Sequence, residues 1–256
     1  MMTYIVLPAY NEEQALPPLL TNIAKTFEEE RKQFKIIVVN DGSRDNTLKV
    51  ANELSLKLPV IVVDNGVNRG LAETLKNGLI HALKLANSDD VIITMDADNT
   101  HPAGLALRML RLIREGNDVV IASRYREGSL VRGLSFYRKF LSYGAAILFK
   151  ILFPIQGVRD YTCGYRAYRA DILLKLYKNK GDNFISAKGF SCMVDLLLSL
   201  RQLDLVFNEV PMILRYDQKP GASKMNVTKT IFETLNLILK RRFMGQADSK
   251  NFQSGS

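Results

Sequence analysis

The sequence predicts an α/β fold built on a mainly parallel, twisted sheet with helices on both faces. Short apolar, β-branched runs alternate with longer segments of helical periodicity from Thr3 to Ala122. Strands that alternate with helices pair in parallel, because each helix carries the chain back to the same end of the sheet. Turn-forming polar residues follow most of the strands, which places them together along one edge of that sheet.

The first half of the chain supplies these elements in a regular order. Buried strands are predicted where β-branched and apolar residues cluster, at residues 3–7, 34–39, 59–63, 91–95 and 118–122. Helices are predicted between them, at residues 13–30, 45–56, 71–85 and 103–115. Pro17 and Pro18 are expected to delay the start of the first helix, and Asp45 is expected to cap the second. Pro102 suits the first turn of the fourth helix.

The alternation stops after Arg124. The predicted elements beyond it are a loop at residues 128–137, an apolar helix at 138–153, a loop leading into a short strand at 158–169, a helix at 191–202, one or two strands at 205–214, a basic loop at 217–224 and an amphipathic helix at 226–243. We therefore divide the chain into a main domain, a C-terminal helix and a polar tail that we expect to be disordered. Their bounds are residues 1–225, 226–244 and 245–256.

The composition is that of an ordinary globular domain with a strong basic charge. The chain has 256 residues, of which 47% are hydrophobic, and its formal net charge is +9. Basic chains bind phosphorylated ligands, anionic lipid or nucleic acid, or are merely soluble. Nucleic acid is not expected as a partner, because the sequence offers neither an aromatic stacking platform nor a known motif for it.

Cysteine and histidine are too scarce for a metal centre built on them. Cys163 and Cys192 lie far apart in sequence and are expected to be free thiols that pack in the core. With only His81 and His101, a His-rich zinc site is not expected, and His101 is interpreted as a structural residue at a helix start. Since no apolar run is long enough to span a bilayer and Met1 leads directly into a strand, neither a membrane span nor a signal peptide is expected.

The residues that follow the strand at 91–95 carry the most specific chemistry. Asp96 and Asp98 are two apart, so both carboxylates are expected at the carboxyl end of that strand and on the same side. Two hard oxygen donors aimed at one point can hold Mg²⁺ or Mn²⁺, and such an ion can bridge to a diphosphate. Solvated loops carry the same spacing, so the pair alone does not decide between the two interpretations.

Polar side chains at the ends of the other strands are expected to join this pair. Because the carboxyl ends of parallel strands meet at one edge of a sheet, the sequence predicts a single site there. Its predicted members are Tyr10, Glu12, Asp41, Ser43, Asp96, Asp98 and Arg124.

These motifs, taken in order, resemble glycosyltransferase family 2. They are Pro8-Ala9-Tyr10-Asn11-Glu12, Asn40-Asp41-Gly42-Ser43 with Asp45 and Thr47, Asn68-x-Gly70, Asp96-Ala97-Asp98 with His101-Pro102, and Ser123-Arg124-Tyr125. Within the family the chain is similar to the dolichyl-phosphate (polyprenyl-phosphate) mannose synthases, on Arg138-Lys139 with Ser142 and Gly144-Ala145, Asp160 with Cys163-Gly164-Tyr165-Arg166, and Gly221-x-Ser223-Lys224. The resemblance covers roughly residues 3–240, and its strength lies in the order of motifs that are weak alone.

The resemblance implies the GT-A nucleotide-sugar-binding fold and a role for each matched residue. The implied contacts of the nucleotide sugar are Pro8, Tyr10, Glu12, Val39 and Asp41. The implied ligands of the metal and diphosphate are Asp96, Ala97 and Asp98. The implied contacts of an acceptor phosphate are Arg124, Arg138 and Ser142. Lys224 would close over the donor diphosphate, and Asp98, Arg124, Arg138 and Lys224 would be the catalytic set.

Two positions depart from the family pattern. Thr100 stands where many relatives place a Gln that helps to ligate the metal, and because Thr is shorter, water would complete the coordination. Gln218 stands where an Arg usually precedes the glycine by three residues, so that Lys219 or Arg215 would have to substitute for it.

The acceptor decides whether the reaction needs a base. A phosphate monoester is already anionic at neutral pH, so it needs positive charge, and Arg124 and Arg138 offer forked donors for it. A sugar hydroxyl would need a carboxylate base, for which Asp160 and Asp195 are the candidates. Both also have structural interpretations, Asp160 as an ion-pair partner of Arg166 and Asp195 as a support for the acceptor loop. One direct displacement would invert the anomeric configuration.

Two segments carry features of membrane contact. The apolar helix at residues 138–153 has basic residues around it, which suits a helix lying in the membrane interface, although core packing explains the same pattern. The helix at residues 226–243 ends in Lys240-Arg241-Arg242, which fits a solvated helix end, a lipid contact or a small membrane-anchoring subunit. We expect a peripheral protein at the cytoplasmic face of a membrane.

Three functional hypotheses follow. The first is an inverting transferase that moves mannose from GDP-mannose to dolichyl or polyprenyl phosphate with Mg²⁺ or Mn²⁺. The second keeps the fold but uses UDP-glucose or another hexose donor, or a glycan hydroxyl as acceptor. The third is a non-catalytic nucleotide-sugar-binding protein, against which the intact Asp96, Asp98 and Lys224 argue.

Overall fold

The computed structural model describes residues 1–133 and 136–215, together with Glu233, residues 236–239 and Arg241, and residues 136–142 are described by their backbone alone. The strands are β1 (Thr3–Ala9), β2 (Phe34–Asn40), β3 (Val60–Asp64), β4 (Val91–Thr94), β5 (Val119–Ser123), β6 (Leu130–Arg132), β7 (Arg166–Arg169), β8 (Phe207–Pro211) and β9 (Ile213–Arg215). The helices are α1 (Leu16–Glu29), α2 (Thr47–Ser55), α3 (Leu71–Leu85), α4 (Gly104–Arg114), α5 (Phe136–Leu152), α6 (Ala170–Lys180) and α7 (Cys192–Leu200). Two 3₁₀ turns lie at Gly181–Phe184 and Gly189–Ser191.

A seven-stranded sheet of order β3-β2-β1-β4-β7-β5-β8 organises these elements. Strands β1 to β4 pair in parallel, as do β5 and β8, whereas β7 pairs antiparallel with both β4 and β5. Helix α1 packs against α2 and α4, and α3 packs against α6, so these five helices form two separate groups that cover the sheet. The predicted α/β class with a mainly parallel sheet is therefore confirmed.

Four of the five apolar runs of the first half form strands whose two faces are both covered, and the fifth, β3, is a partly exposed edge strand. Every residue of β4 and β5 is buried, and β2 is buried except at Lys35. Strands covered on both sides need continuous apolar sequence rather than alternation, which is why their positions could be read from composition. The five predicted strands and four predicted helices of this half are all present, with ends that differ by a few residues.

The structure corrects three local expectations. The residues predicted as a loop at 128–137 contain β6, which pairs in parallel with β9 in a small separate sheet, and they run into α5 at Phe136. Helix α6, for which no element was predicted, follows β7 directly. Asp45 is not the N-cap of α2: that position is Asn46, and the Asp45 carboxylate instead accepts the Thr47 amide at 3.0 Å.

The predicted division of the chain stays a prediction. Its boundary at 225/226 and the tail at 245–256 lie outside the described residues, as does most of the helix predicted at 226–243. Of that helix, residues 233, 236–239 and 241 are described as helical.

Candidate active site

The carboxyl ends of β1, β2, β4 and β5 lie along one edge of the sheet, because these four strands run in the same direction. The predicted site residues follow these ends. Pro8 lies in β1 opposite Val39 in β2. The other predicted members placed at this edge are Tyr10, Glu12, Asp41, Asp96, Ala97, Asp98 and Arg124. The structure therefore brings these predicted residues to one edge of the sheet, and their roles there stay predictions.

Asp41 organises the turn that precedes α3. Its buried carboxylate accepts hydrogen bonds from the Asn65 side chain at 3.1 Å, the Arg69 amide at 2.8 Å and the Gly70 amide at 3.0 Å. A carboxylate that satisfies three donors is held in one orientation. Asp41 thus joins the end of β2 to the turn at residues 65–70 and holds the two segments together.

Gly42 lets these two turns approach each other closely. Its φ is +62°, and an added Cβ would lie 2.4 Å from the backbone nitrogen of Asn68. A side chain at this position would therefore be strained in conformation and would also push the turn at residues 65–70 away from Asp41.

We expect Gly42→Ala to destabilise the protein by about 2–4 kcal/mol, the sum of a left-handed alanine and a backbone clash. Urea unfolding followed by circular dichroism measures this. Gly66→Ala is the matched control, because Gly66 also has a positive φ of +71° but nothing within 4 Å of its Cβ position. Equal losses in the two variants would show that the close approach contributes nothing.

The loop after β1 is tied to the loop after β2 by side-chain caps. The Asn11 amide donates to Ser43 Oγ at 3.0 Å, and the Glu12 amide donates to Thr47 Oγ1 at 2.7 Å. Burial favours a higher pKa for the Asp45 carboxyl, but hydrogen bonds from Thr47 and Glu13 outweigh it, and the pKa of Asp45 is lowered. Asp45 therefore stays ionised and keeps Thr47 in place beneath Glu12.

Asp96 and Asp98 differ in their surroundings. The Asp96 side chain is 44% exposed, whereas Asp98 as a residue is only 8% exposed. Asp98 Oδ1 accepts the amide of Thr100 at 3.2 Å and its hydroxyl at 2.7 Å. Thr100, which the resemblance placed at the position of a metal-ligating Gln, orients Asp98 through its hydroxyl.

His101 packs behind Asp96. It is buried and stacks on Tyr165 with ring centroids 5.1 Å apart, and its Nδ1 accepts the Asp96 amide at 3.4 Å. Its Nε2 lies 3.9 Å from Asp96 Oδ2. These contacts agree with the structural interpretation of His101.

The donor set at this edge fits a divalent ion that is shared with a ligand. Asp96 and Asp98 are hard oxygen donors at one strand end. In the described part of the chain, no three or more His, Cys, Asp or Glu side chains gather into a group that could hold an ion by itself. The protein would therefore supply these two carboxylates, and the remaining ligands would come from a diphosphate and water.

Arg124 and Asp160 form a buried, two-point ion pair. Arg124 Nε donates to Asp160 Oδ2 at 2.8 Å, and its Nη2 donates to Oδ1 at 2.7 Å. Asp160 also accepts the amides of Arg124 at 3.0 Å and Cys163 at 3.0 Å. Burial favours a higher pKa for Asp160, but the Arg124 charge outweighs it, so the pKa of Asp160 is lowered and that of Arg124 is raised well above its usual value.

The predicted pairing of Asp160 with Arg166 is wrong. Arg166 is buried and donates to the carbonyl oxygens of Met193 at 2.6 Å and Tyr161 at 2.7 Å. Arg124 takes the place beside Asp160 instead. Arg166 thus ties β7 to the start of α7 through backbone contacts.

Asp195 is the second buried, paired carboxylate. Its Oδ2 accepts the amides of Ser186 at 2.6 Å and Ala187 at 2.9 Å, and its Oδ1 accepts Arg241 Nε at 2.9 Å. Arg241 was expected at a solvated or lipid-facing helix end, and the structure corrects this, because its guanidinium is drawn into an ion pair with α7. The support that Asp195 gives to the loop at residues 186–187 agrees with its structural interpretation.

The side chains of three predicted site residues are not among those that the structure describes. Arg138 and Ser142 lie in α5 where the backbone alone is described, and Lys224 lies outside the described residues. Sequence reasoning also missed Glu209, a buried carboxylate on β8 that contacts the Asp160 loop. A single acidic residue inside an apolar strand was the signal that could have found it.

A mainly parallel sheet with an Asp-x-Asp pair at its strand ends agrees with the GT-A glycosyltransferase fold that the motifs implied. Solved structures agree. Mannosyl-3-phosphoglycerate synthase from Rubrobacter xylanophilus aligns over 96% of this chain and 75% of its own, with a TM-score of 0.65 and 19% identity. Glucosyl-3-phosphoglycerate synthase from Mycobacterium tuberculosis, crystallised with Mn²⁺, UDP and glucosyl-3-phosphoglycerate, aligns over 93% of this chain and 77% of its own, with a TM-score of 0.60 and 20% identity.

Residues 4–177 match glycosyl transferase family 2, and the chain belongs to that family, as its motifs predicted. The dolichol-phosphate mannosyltransferase of Pyrococcus furiosus is 32% identical over 97% of this chain, which spans 66% of that relative's length. The polyprenol monophosphomannose synthase of Mycolicibacterium smegmatis is 32% identical over 94% of this chain and 88% of its own length. A dolichyl-phosphate beta-glucosyltransferase of Trichomonas vaginalis is 28% identical over 91% of this chain and 71% of its own length.

Proposed function

We propose that the protein transfers a hexose to dolichyl or polyprenyl phosphate with inversion, and that its donor is GDP-mannose. The two relatives at 32% identity support mannose and a polyprenyl acceptor. The observation that carries the proposal within this chain is the engagement of both candidate bases. Asp160 and Asp195 are fully buried and each accepts an arginine, so a reaction that needs no base suits the site best.

The donor would bind along the strand ends. The nucleotide would lie against Pro8, Tyr10, Glu12, Val39 and Asp41, beside the turn at residues 65–70 that Asp41 and Gly42 hold in place. Asp96 and Asp98 would hold Mg²⁺ or Mn²⁺ together with the donor diphosphate, with Ala97 between them and Thr100 orienting Asp98. A divalent ion there supplies positive charge that stabilises the leaving nucleoside diphosphate.

The acceptor phosphate would be bound by positive charge. Arg124 is fixed by Asp160 at the end of β5, and Arg138 and Ser142 on α5 are proposed to complete the contact. Lys224 is proposed to close over the donor diphosphate. Because a phosphate monoester is already anionic, these residues need only align it with the anomeric carbon and restrain it there.

UDP-glucose remains the second candidate donor. The relative from Trichomonas vaginalis is named as a glucosyltransferase acting on dolichyl phosphate, at 28% identity. Comparison of GDP-mannose with UDP-glucose in the same transfer assay distinguishes the two donors.

Sugar transfer to a short polyprenyl phosphate in detergent tests the proposal. GDP-mannose and UDP-glucose are compared, each with Mn²⁺ and with excess EDTA. We expect metal-dependent mannosyl transfer, with UDP-glucose slower. Faster glucosyl transfer would replace the donor. No transfer to the lipid phosphate, together with nucleotide binding in calorimetry, would overturn the acceptor and favour a glycan hydroxyl or a non-catalytic binding protein.

We also propose that the protein docks on the membrane surface through α5 and the β6–β9 pair. No helix in the part of the chain that the structure describes is both long and apolar enough to cross a bilayer. Large apolar side chains are exposed on α5, and Leu130 of β6 and Ile213 of β9 are exposed side by side in register. Those on α5 are Tyr143, Ile147, Leu148 and Ile151. Arg126, Arg132 and Lys150 are also exposed, which suits an anionic lipid surface.

Ile151→Glu is expected to weaken binding to vesicles of phosphatidylcholine and phosphatidylserine by about tenfold or more, because an apolar side chain that is 71% exposed would leave the lipid. Vesicle co-sedimentation measures this. Leu56→Glu is the control, since Leu56 is 86% exposed but lies at the end of α2. Equal effects, or none, would contradict this docking surface and favour a membrane-anchoring subunit.

A further inference from the structure

Glu209 is a buried carboxylate that none of the predicted roles uses. It lies in β8 opposite Ile121 of β5 and is only 2% exposed. Its Oε1 accepts two successive backbone amides, those of Arg159 at 2.6 Å and Asp160 at 2.7 Å. A carboxylate oxygen that binds two adjacent amides fixes the main chain at that point.

The loop that carries these amides is pressed against β8. Gly157 has a φ of +83°, and an added Cβ would lie 2.3 Å from the carbonyl oxygen of Phe207, two residues before Glu209. The close approach at Gly157 and the two hydrogen bonds to Glu209 therefore anchor the same loop at both ends of residues 157–160.

Asp160 passes this anchoring on to Arg124. With its amide bound to Glu209, its carboxylate is turned toward the Arg124 guanidinium and holds it at two points. The direction of the guanidinium therefore depends on where the main chain at Asp160 lies. A small shift of a ligand-binding group is costly when it must align a reacting phosphate.

We propose that Glu209 is a positioning residue for Arg124, acting through the main chain of Arg159 and Asp160. The proposal rests on the proposed role of Arg124 in holding an acceptor phosphate. Glu209 itself contacts neither sugar nor phosphate. Its effect is on how well Arg124 meets the acceptor, and it leaves the donor edge at β1, β2 and β4 unchanged.

The role proposed for Glu209 depends on the oxygen that accepts the two backbone hydrogen bonds, and not on the charge of the carboxylate. Burial raises the pKa of Glu209, although the two amides oppose this. Its Oε2 is buried and accepts no hydrogen bond from the described residues, although the Ser123 hydroxyl also acts against the rise in the pKa of Glu209. A glutamine keeps the oxygen that accepts both amides and, like the protonated carboxyl, is uncharged, whereas a methionine of similar volume removes the acceptor oxygen.

The test compares Glu209→Gln with Glu209→Met, using the KM for polyprenyl phosphate, the KM for the donor sugar nucleotide, and kcat. We expect Met to raise the acceptor KM by about tenfold or more, as loss of a group that orients a ligand does, with less than about a twofold change in the donor KM. Gln is expected to stay within about threefold of wild type. Asp90→Leu is the control, because it removes another buried carboxylate that accepts two backbone amides, those of Met2 and Asn87, but Asp90 precedes β4 and so lies at the opposite end of the sheet from Arg124.

Glu209→Asp keeps the proposal falsifiable where the Met variant does not fold. It draws the carboxylate back by one methylene, and an acceptor KM raised by about threefold with an unchanged donor KM is expected. The proposal is overturned if the Met and Asp variants fold and keep the wild-type KM for polyprenyl phosphate. It is also overturned if the KM values for donor and acceptor change equally, or if Glu209→Gln raises the acceptor KM as much as Glu209→Met.

A second readout separates this proposal from the proposed function. The Arg124 Nε–H signal in ¹⁵N NMR, assigned by its loss in Arg124→Lys, reports the contact with Asp160 without any substrate. We expect the Arg124 signal to persist in Glu209→Gln and to shift or broaden in Glu209→Met and Glu209→Asp. If the wild type transfers no sugar to polyprenyl phosphate but this pattern holds, the proposed function fails alone. If transfer occurs and the signal is unchanged in all variants, the role of Glu209 fails alone.

Discussion

Replacement of Asp98 by asparagine is expected to lower kcat for sugar transfer by about a thousandfold, with the fold unchanged. Asparagine keeps the Oδ1 atom that accepts the Thr100 amide and hydroxyl, so the local geometry survives. It loses the negative charge that would hold a divalent ion against the donor diphosphate. Removing one such electrostatic contact in other enzymes costs about 10²–10³ in kcat, and here the ion is lost with it. Steady-state transfer with Mn²⁺ measures the effect.

Asp89→Asn is the matched control for this variant. Asp89 is exposed and lies before β4, whereas Asp98 follows that strand, so the two carboxylates stand at opposite ends of one element. We expect wild-type kcat for Asp89→Asn, and similar unfolding temperatures for all three proteins. A folded Asp98→Asn protein that keeps more than about a tenth of wild-type kcat would remove Asp98 from the catalytic set.

The parts of the fold that could be predicted are those written in local sequence. Strands β1, β2, β4 and β5 are buried on both faces or nearly so, and their continuous apolar runs mark them without any knowledge of their partners. Because parallel strands joined by helices end at one edge, this also located Asp41, Asp96 and Asp98. By contrast, β6 and β9 are three residues long, too short to carry a period, and their pairing depends on residues more than 80 positions apart.

Partners of buried charges were the least predictable feature. Asp160 is closer in sequence to Arg166, yet Arg166 lies in β7, where it pairs with Thr94 of β4 and points its guanidinium at backbone carbonyls. Arg124 reaches Asp160 only because β7 is inserted antiparallel between β4 and β5, an arrangement that strand–helix alternation does not predict. Such pairs are decided by topology, which is why both Asp160 and Asp195 could be nominated as bases from sequence.

Arg124→Ala is expected to destabilise the protein by about 3–5 kcal/mol at pH 7, besides its effect on catalysis. The reason is the carboxylate left behind, because Asp160 is fully buried and would lose the cation that offsets its desolvation. Urea unfolding measures the loss. The double variant Arg124→Ala/Asp160→Ala is expected to recover part of the stability, since it removes the unpaired charge as well as its partner.

The pH dependence separates an unpaired charge from a simple loss of packing. In the wild type the pKa of Asp160 is lowered below its unfolded value of about 3.9, so its contribution is present above that value and is lost as pH falls through the folded pKa. In Arg124→Ala the pKa of Asp160 rises instead, and protonation relieves the buried charge. The stability gap between the two proteins should therefore narrow as pH is lowered from 7 to 4. A gap that stays constant over this range would mean that lost packing around Arg124, and not the charge of Asp160, sets the cost.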